Sequence, residues 1–377
     1  MAFKEIINNY SWNEISARIA SKTKAEVENA LSKAGLSIDD FMALVSPAAE
    51  TYLEQMAQLS HQLTRYRFGN TIQLYIPLYL SNACVNHCLY CGFNHTNNIR
   101  RIVLTGSEII KEVEAIKQIA PFEHILLVTG ESPHDAGVEY LEKAIRLVKP
   151  HFSSISIEVQ PLRKEEYKRL IEAGLNSVMC YQETYNKETY PNYHPRGKKH
   201  FFDWRVDTFD RMGCAGIHKM GLGVLLGLED WRTDATFVAL HLRYLQKEYW
   251  KTKYSISFPR IRPHIGNPFQ PKAPVNERNL AQLIFAFRIF DHDLELPLST
   301  RESPNFRDHA VALGITSLSA NSKTDPGGYA SYPAAPEQFS VNDNRTAHEI
   351  AAVVRKTGLE VVWKDWELVL QGSVGAI

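Results

Sequence analysis

The chain has 377 residues, 44% hydrophobic and 22% charged, with 42 Lys and Arg against 42 Asp and Glu. That is apolar material for a large core of the ordinary soluble class, and the balanced charge supplies no field toward nucleic acid or an anionic membrane. The opening MAFKEIINNYSWNEI lacks a basic region followed by an apolar core, and no stretch approaches the roughly 18 apolar residues of a spanning helix, so a cytoplasmic protein acting on small molecules is expected.

Residues 1–70 carry apolar positions at helical spacing, among them Ala25, Val27, Ala30, Leu31 and Ala34, then Leu53, Met56, Leu59, Leu63 and Tyr66. They predict a helical extension ahead of the main domain. From Thr71, short runs of β-branched, aromatic and leucine residues alternate with amphipathic stretches, the pattern of βα units and a parallel sheet. Strands are predicted over 72–79, 124–129, 154–159, 176–181, 219–226, 254–258, 294–300 and 315–320. Helices are predicted over 107–120, 138–148, 164–173, 204–215, 231–250, 277–291 and 306–313, the first opened by a Thr105-x-x-Glu108 capping box. Eight alternating units predict an α/β fold, a closed (β/α)8 TIM-type barrel over 71–322. An open doubly wound sheet is the rival, but no GxGxxG follows a strand. Residues 323–377, rich in Gly and Pro at their start, are expected to wrap the barrel as a C-terminal extension with one last helix near 346–357.

The five cysteines are Cys84, Cys88, Cys91, Cys180 and Cys214. An odd count with three packed into one octet is a poor disulfide framework and points to a metal. Cys84-Val-Asn-His-Cys88-Leu-Tyr-Cys91 directly follows the first strand. Its three thiolates can reach three irons of a [4Fe-4S] cubane and leave the fourth iron open for chemistry. Zinc is the rival; structural zinc takes four protein ligands, and His87 inside the loop could be the fourth. Cys180 and Cys214 lie in apolar settings and read as buried core cysteines.

The CxxxCxxC loop, with aromatic Tyr90 before its last cysteine, resembles the cluster motif of the radical S-adenosylmethionine superfamily. The resemblance implies that S-adenosylmethionine chelates the open iron and that its cleavage yields a 5′-deoxyadenosyl radical, which takes a hydrogen from substrate. Val128-Thr129-Gly130-Glu131 resembles the family's glycine-rich motif for the methionine amino group, Gly130 allowing close approach. Read alone, these residues are equally a strand-ending turn. Glu183, in Tyr181-Gln182-Glu183-Thr184-Tyr185, matches the position that binds the ribose in biotin-synthase-like relatives. Arg205 resembles the arginine that pairs with the methionine carboxylate, an exposed helix arginine being the alternative. The stretch from Gly221 through Gly227 to Glu229 is similar to the family's strand beside the adenine.

The stretches PLYLSNACVNHCLYCGF, LLVTGE, EVQPL, YQETY, FPRIRP, LSTRES and PGGY resemble the aromatic amino acid lyase branch over nearly the whole chain, most closely the tyrosine lyases of thiamine biosynthesis. This implies attack at the amino group of L-tyrosine and cleavage of its Cα–Cβ bond to dehydroglycine (2-iminoacetate) and p-cresol. It also implies thiazole synthase as product acceptor and a flavodoxin- or ferredoxin-type reductant. Arg301, in Leu298-Ser-Thr-Arg-Glu-Ser303, is the candidate for the tyrosine carboxylate. Ser319 is placed to add a hydrogen bond to the same group, as the aligned serine does in the related tryptophan lyase. A surface pair of Arg301 with Glu302 or Asp308 is the alternative. Gln160, Tyr185, Arg260 and Arg262 are weaker candidates without assigned tasks. No cysteine follows Cys214, so the second cluster of the hydrogenase-maturation tyrosine lyases would lack ligands. Tryptophan as substrate and, outside enzymes, a cysteine-ligated metal-binding scaffold are the other readings.

Overall fold

Runs that are apolar on both faces need helices on the outside and neighbouring strands on either side, and a closed parallel barrel supplies both. The computed structural model describes residues 2–266 and 268–365. Its strands are β1 (Thr71–Ser81), β2 (His124–Thr129), β3 (Ser154–Glu158), β4 (Ser177–Met179), β5 (Lys219–Gly223), β6 (Lys253–Ser257), β7 (Pro297–Leu298) and β8 (Ser317–Ser319), all parallel, in the order β6-β5-β4-β3-β2-β1-β8-β7. The seam between β6 and β7 is closed by two backbone hydrogen bonds, from Ile256 N–H to Glu295 O (2.9 Å) and from Glu295 N–H to Tyr254 O (3.1 Å).

The helices Val138–Val148 and Lys164–Ala173 have the bounds that their apolar periodicity predicts, and the box at Thr105 caps Gly106–Ile119. Other boundaries move for physical reasons. The stretch 176–181 is regular ladder only at Ser177–Met179, and the chain turns at Glu183, which has φ 71°. Pairing with the chain after β5 continues irregularly, through Cys180, Gln182 and Leu225. The helix predicted over 204–215 is two, Phe202–Val206 and Thr208–Ala215, meeting at Asp207. Cys180 is buried, but Cys214 is exposed rather than a core cysteine, its sulfur 3.6 Å from the Tyr249 hydroxyl.

Helices Trp12–Ala20, Ile38–Val45 and Leu53–Phe68 pack outside the barrel on Trp231–Glu248 and Glu277–Phe290. Phe41 packs on Phe287 and Phe290 at 4.7 and 5.0 Å, and Trp12 stacks on Phe237. At the other end of the chain, helix Ala347–Lys356 leads into a short strand that periodicity did not reveal, β9 (Glu360–Val362), paired with Thr71–Gln73 of β1. Residues 366–377 of the C-terminal extension lie outside the described residues.

Between β8 and that helix, the chain returns across the mouth of the barrel as a strap. The buried Glu112 carboxylate accepts backbone N–H bonds from Tyr329 (2.9 Å), Ala330 (3.1 Å) and Ser331 (2.7 Å). Further on, Asp343 pairs with Arg307, both fully buried, and also accepts from Arg345 at 2.7 Å. Removing one partner of a buried pair leaves an uncompensated charge, so Asp343→Ala is expected to cost about 3–5 kcal/mol. A urea unfolding curve measures this; an unmoved midpoint would show that the pair does not hold the strap.

Candidate functional site

In a parallel barrel every strand ends on the same face, so the residues that follow the strands converge there. The space they enclose is a single cavity that opens at the mouth of the barrel. Cys84, Cys88, Cys91, Tyr90, Gly130, Glu131, Glu183, Arg205, Arg301 and Ser319 all line it.

The cysteine loop leaves β1 with neither helix nor strand of its own, and its backbone is held from outside. Val85 N–H donates to Glu131 O, His87 N–H to Arg196 O, Leu89 N–H to Tyr193 O and Gly92 N–H to Gln338 O, all at 2.9–3.2 Å. Inside the loop the Arg101 guanidinium donates to the carbonyls of Asn82, Phe93 and Asn94 at 2.7–2.9 Å. Gly130 passes so close beneath that a Cβ there would meet the Ala83 carbonyl oxygen at 2.3 Å.

None of the three thiols is in a disulfide. Burial pushes Cys84 up to about 12, the charges of Cys91 and Glu131 adding to it, and raises Cys88 and Cys91 too. Sulfurs so placed stay ionised only when a metal coordinates them. Among the described residues no three His, Cys, Asp or Glu gather closely enough for a single ion. A cubane spreads its irons and asks only that three thiolates face one space, so the donor set fits a [4Fe-4S] cluster. His87 is not among the lining residues; its ring lies 5.2 Å from that of His95. The fourth-ligand reading therefore gains nothing from the geometry.

Beside the thiols lies a charge network. Glu131 accepts from Arg205 Nη1 and from Asn86 Nδ2, each at 2.8 Å, and the Arg205 and Lys199 charges hold its carboxyl below the usual range despite burial. Arg205 Nε donates to Tyr181 O at 2.6 Å, so this arginine is buried rather than exposed on its helix. Glu183 accepts from Lys199 Nζ at 2.6 Å and lies 3.9 Å from Arg205 Nη2. Its φ is positive, which is rare for a residue with a Cβ. Tyr90 donates to His194 Nε2 at 2.7 Å. Burial keeps His194 neutral, so its Nδ1–H donates to Tyr190 O at 2.9 Å and Nε2 is left to accept.

On the opposite wall Arg301 sits over Phe339, its Cζ 3.3 Å from the ring centroid, and donates to Arg260 O at 3.3 Å. No carboxylate pairs with it among the described residues; Glu302 belongs to Arg260 instead, which removes the Arg301–Glu302 alternative, and Asp308 pairs with Arg345. Ser319 Oγ accepts from Thr300 N–H at 3.0 Å.

Gly227, Gln160, Tyr185, Arg260 and Arg262 are not among the lining residues. Gly227, at φ 116°, accepts from Ala273 N–H and shapes a loop. Gln160 donates to Ala136 O, and Tyr185 bonds His241 in the core. Sequence reasoning missed Asn86, Glu158, Lys199, Gln338 and Phe339. Lys199 sits in a basic run that reads as solvated surface, and the last two lie in the strap, remote in sequence. Gln338 shows how the strap reaches the site: its Oε1 accepts from Tyr79 and its amide bonds the Cys91 sulfur.

A family model described as Radical SAM superfamily matches residues 78–238, and one described as Biotin and Thiamin Synthesis associated domain matches residues 257–360. The 2-iminoacetate synthase of Escherichia coli is 50% identical over 366 residues, 97% of each chain. That of Salmonella typhimurium is 50% identical over 357 residues, 94% of each. Among solved structures, the FeFe-hydrogenase maturase HydG from Carboxydothermus hydrogenoformans superposes with a TM-score of 0.84 at 30% identity, over 96% of this chain and 83% of that one.

Gly130→Ala is expected to push the cysteine loop away from β2. After anaerobic reconstitution its iron content should fall well below the ~four per chain of a cubane. Full iron in the variant would show that the loop does not depend on this contact.

Proposed function

We propose the function from one premise: this chain belongs to the radical SAM superfamily and, within it, to the 2-iminoacetate synthase family. It is a carbon–carbon lyase that uses a [4Fe-4S] cluster and S-adenosylmethionine to cleave L-tyrosine at Cα–Cβ, giving 2-iminoacetate and p-cresol, a step of thiamine biosynthesis. When bound, the cluster and S-adenosylmethionine supply the 5′-deoxyadenosyl radical that takes a hydrogen atom from the substrate.

The chain's own residues bind and orient. Cys84, Cys88 and Cys91 would hold the cluster. Gly130 and Glu131 would serve the methionine amino group, Arg205 its carboxylate and Glu183 the ribose, with Tyr90 in the same lining. Gly227 serves the adenine only through the loop it shapes.

The observation that carries the substrate reading is Arg301, a half-buried cation that lines the cavity and has no carboxylate partner among the described residues. A charge held unpaired and away from bulk water is costly, and the carboxylate of an amino acid would pair it in a planar, two-point contact. Ser319 lies on the same wall, its hydroxyl bonded to Tyr75 and to the Thr300 N–H, and would have to turn from Tyr75 to donate to that carboxylate.

The imine product reacts with water, so direct transfer to a thiazole synthase belongs to this reading, with a flavodoxin- or ferredoxin-type protein as reductant and the cytoplasm as location. Among the described residues no helix is long and apolar enough to cross a membrane.

Reduced, reconstituted protein given S-adenosylmethionine and tyrosine is expected to release p-cresol together with 5′-deoxyadenosine. If 5′-deoxyadenosine forms without p-cresol, tyrosine is not the substrate. Arg301→Leu should lower kcat/KM for tyrosine by about 100-fold or more with iron content unchanged; undiminished turnover would remove Arg301 from the site.

A further inference from the structure

Three carboxylates line the cavity, Glu131, Glu158 and Glu183. Arg205 and Lys199 hold the first and third. No hydrogen bond or ion pair holds Glu158 among the described residues, although it is half-buried and lines the cavity.

Glu158 ends β3, with Val128 of β2 and Met179 of β4 as its register partners. Partners on parallel strands present their side chains to the same face of the sheet, so Glu158 shares the inner face with Val128, which also lines the cavity. Burial pushes its carboxyl up to about 7, and the nearby charge of Glu183 adds to the effect. An acid in that state is short of a cation.

Of the three cations whose charge acts on Glu158, Lys199 and Arg205 are paired with Glu183 and Glu131, and Arg301 has no carboxylate partner among the described residues. The charges of Arg301 and Glu158 act on each other, yet the two form no ion pair. An anion and a cation that face one space without touching match an α-amino acid, which carries an ammonium and a carboxylate on a single carbon. The phenol of tyrosine is a poor match for Glu158, because it lies at the far end of a rigid ring from the carboxylate that Arg301 attracts.

We propose that Glu158 receives the α-ammonium group of the substrate while Arg301 takes its carboxylate, so that the pair reads the zwitterion and fixes which way the amino nitrogen points. This rests on the tyrosine-lyase reading and names a contact within it. Glu158 is then a specificity-determining residue: it rejects acids that lack the amine, whatever their ring.

The test is anaerobic equilibrium dialysis against cluster-loaded, unreduced protein with S-adenosylmethionine present, so that binding is read without turnover. Three probes separate the groups: L-tyrosine, L-phenylalanine, which lacks the phenol, and 3-(4-hydroxyphenyl)propionate, which lacks the amine. A charge-assisted hydrogen bond worth about 1.5–3 kcal/mol corresponds to roughly 10–100-fold in Kd. Glu158→Gln should therefore weaken tyrosine and phenylalanine alike by about that factor and leave the propionate within about twofold. Unchanged affinity for tyrosine, or a loss confined to the two phenols, would overturn the assignment. Should Glu158→Gln fail to load iron, Glu158→Asp decides: a retained preference for tyrosine over the propionate supports the contact, and its absence refutes it. Wild-type protein that binds neither amino acid sinks the tyrosine-lyase reading as well; wild-type protein that makes p-cresol beside an unaffected Glu158→Gln variant sinks only this inference.

Discussion

A loop without regular structure has to aim three thiols into one space. Backbone that is neither helix nor strand has no ladder to fix it, and its polar groups need partners from elsewhere. Here they come from the end of β2, from residues 193–196 and from the strap at Gln338, while Arg101 satisfies carbonyls inside the loop. Gly130 lets β2 approach close enough to take part. The cluster site is thus a product of the whole barrel face, and the eight-residue motif is only its visible part.

The same face must also carry charge without solvent. Glu131, Arg205, Glu183 and Lys199 alternate in sign and sum to zero. Such a network fixes its members' positions before any ligand arrives, which is the preorganisation that positioning a reactive cofactor demands. Two groups stand outside that network: Arg301 on the opposite wall, stacked on Phe339, and Glu158 at the end of β3, between the strands that carry Glu131 and Glu183. Among the described residues neither has a charge partner of its own, and what enters the chamber completes them.

Strand number and order were legible because β-branched and aromatic runs alternate cleanly with helical stripes, and the cysteine loop announces itself by spacing. Strand lengths were overread where the chain stays extended but stops pairing: 294–300 looks like a strand along its length, yet its ladder is Pro297–Leu298, since Glu295 turns to β6 instead. β9 is too short to show periodicity. Glu158 was hidden because a polar residue ending an apolar strand reads as the start of a turn. Lys199 was hidden because only the fold converts a surface-like basic run into a buried ion-pair partner. Cys214 misled in the other direction, an apolar neighbourhood in sequence facing outward in space.

The strap contact has a consequence for biogenesis. Gln338 touches the Cys91 sulfur and the Gly92 backbone, yet it is synthesised long after them. Until the ribosome has released that segment, and Glu112 and Arg307 have captured it, the cysteines sit on a face that lacks one wall. Iron and sulfide delivered to a nascent chain would meet an incomplete site open to oxygen. The cluster's surroundings thus depend on residues made long after its ligands.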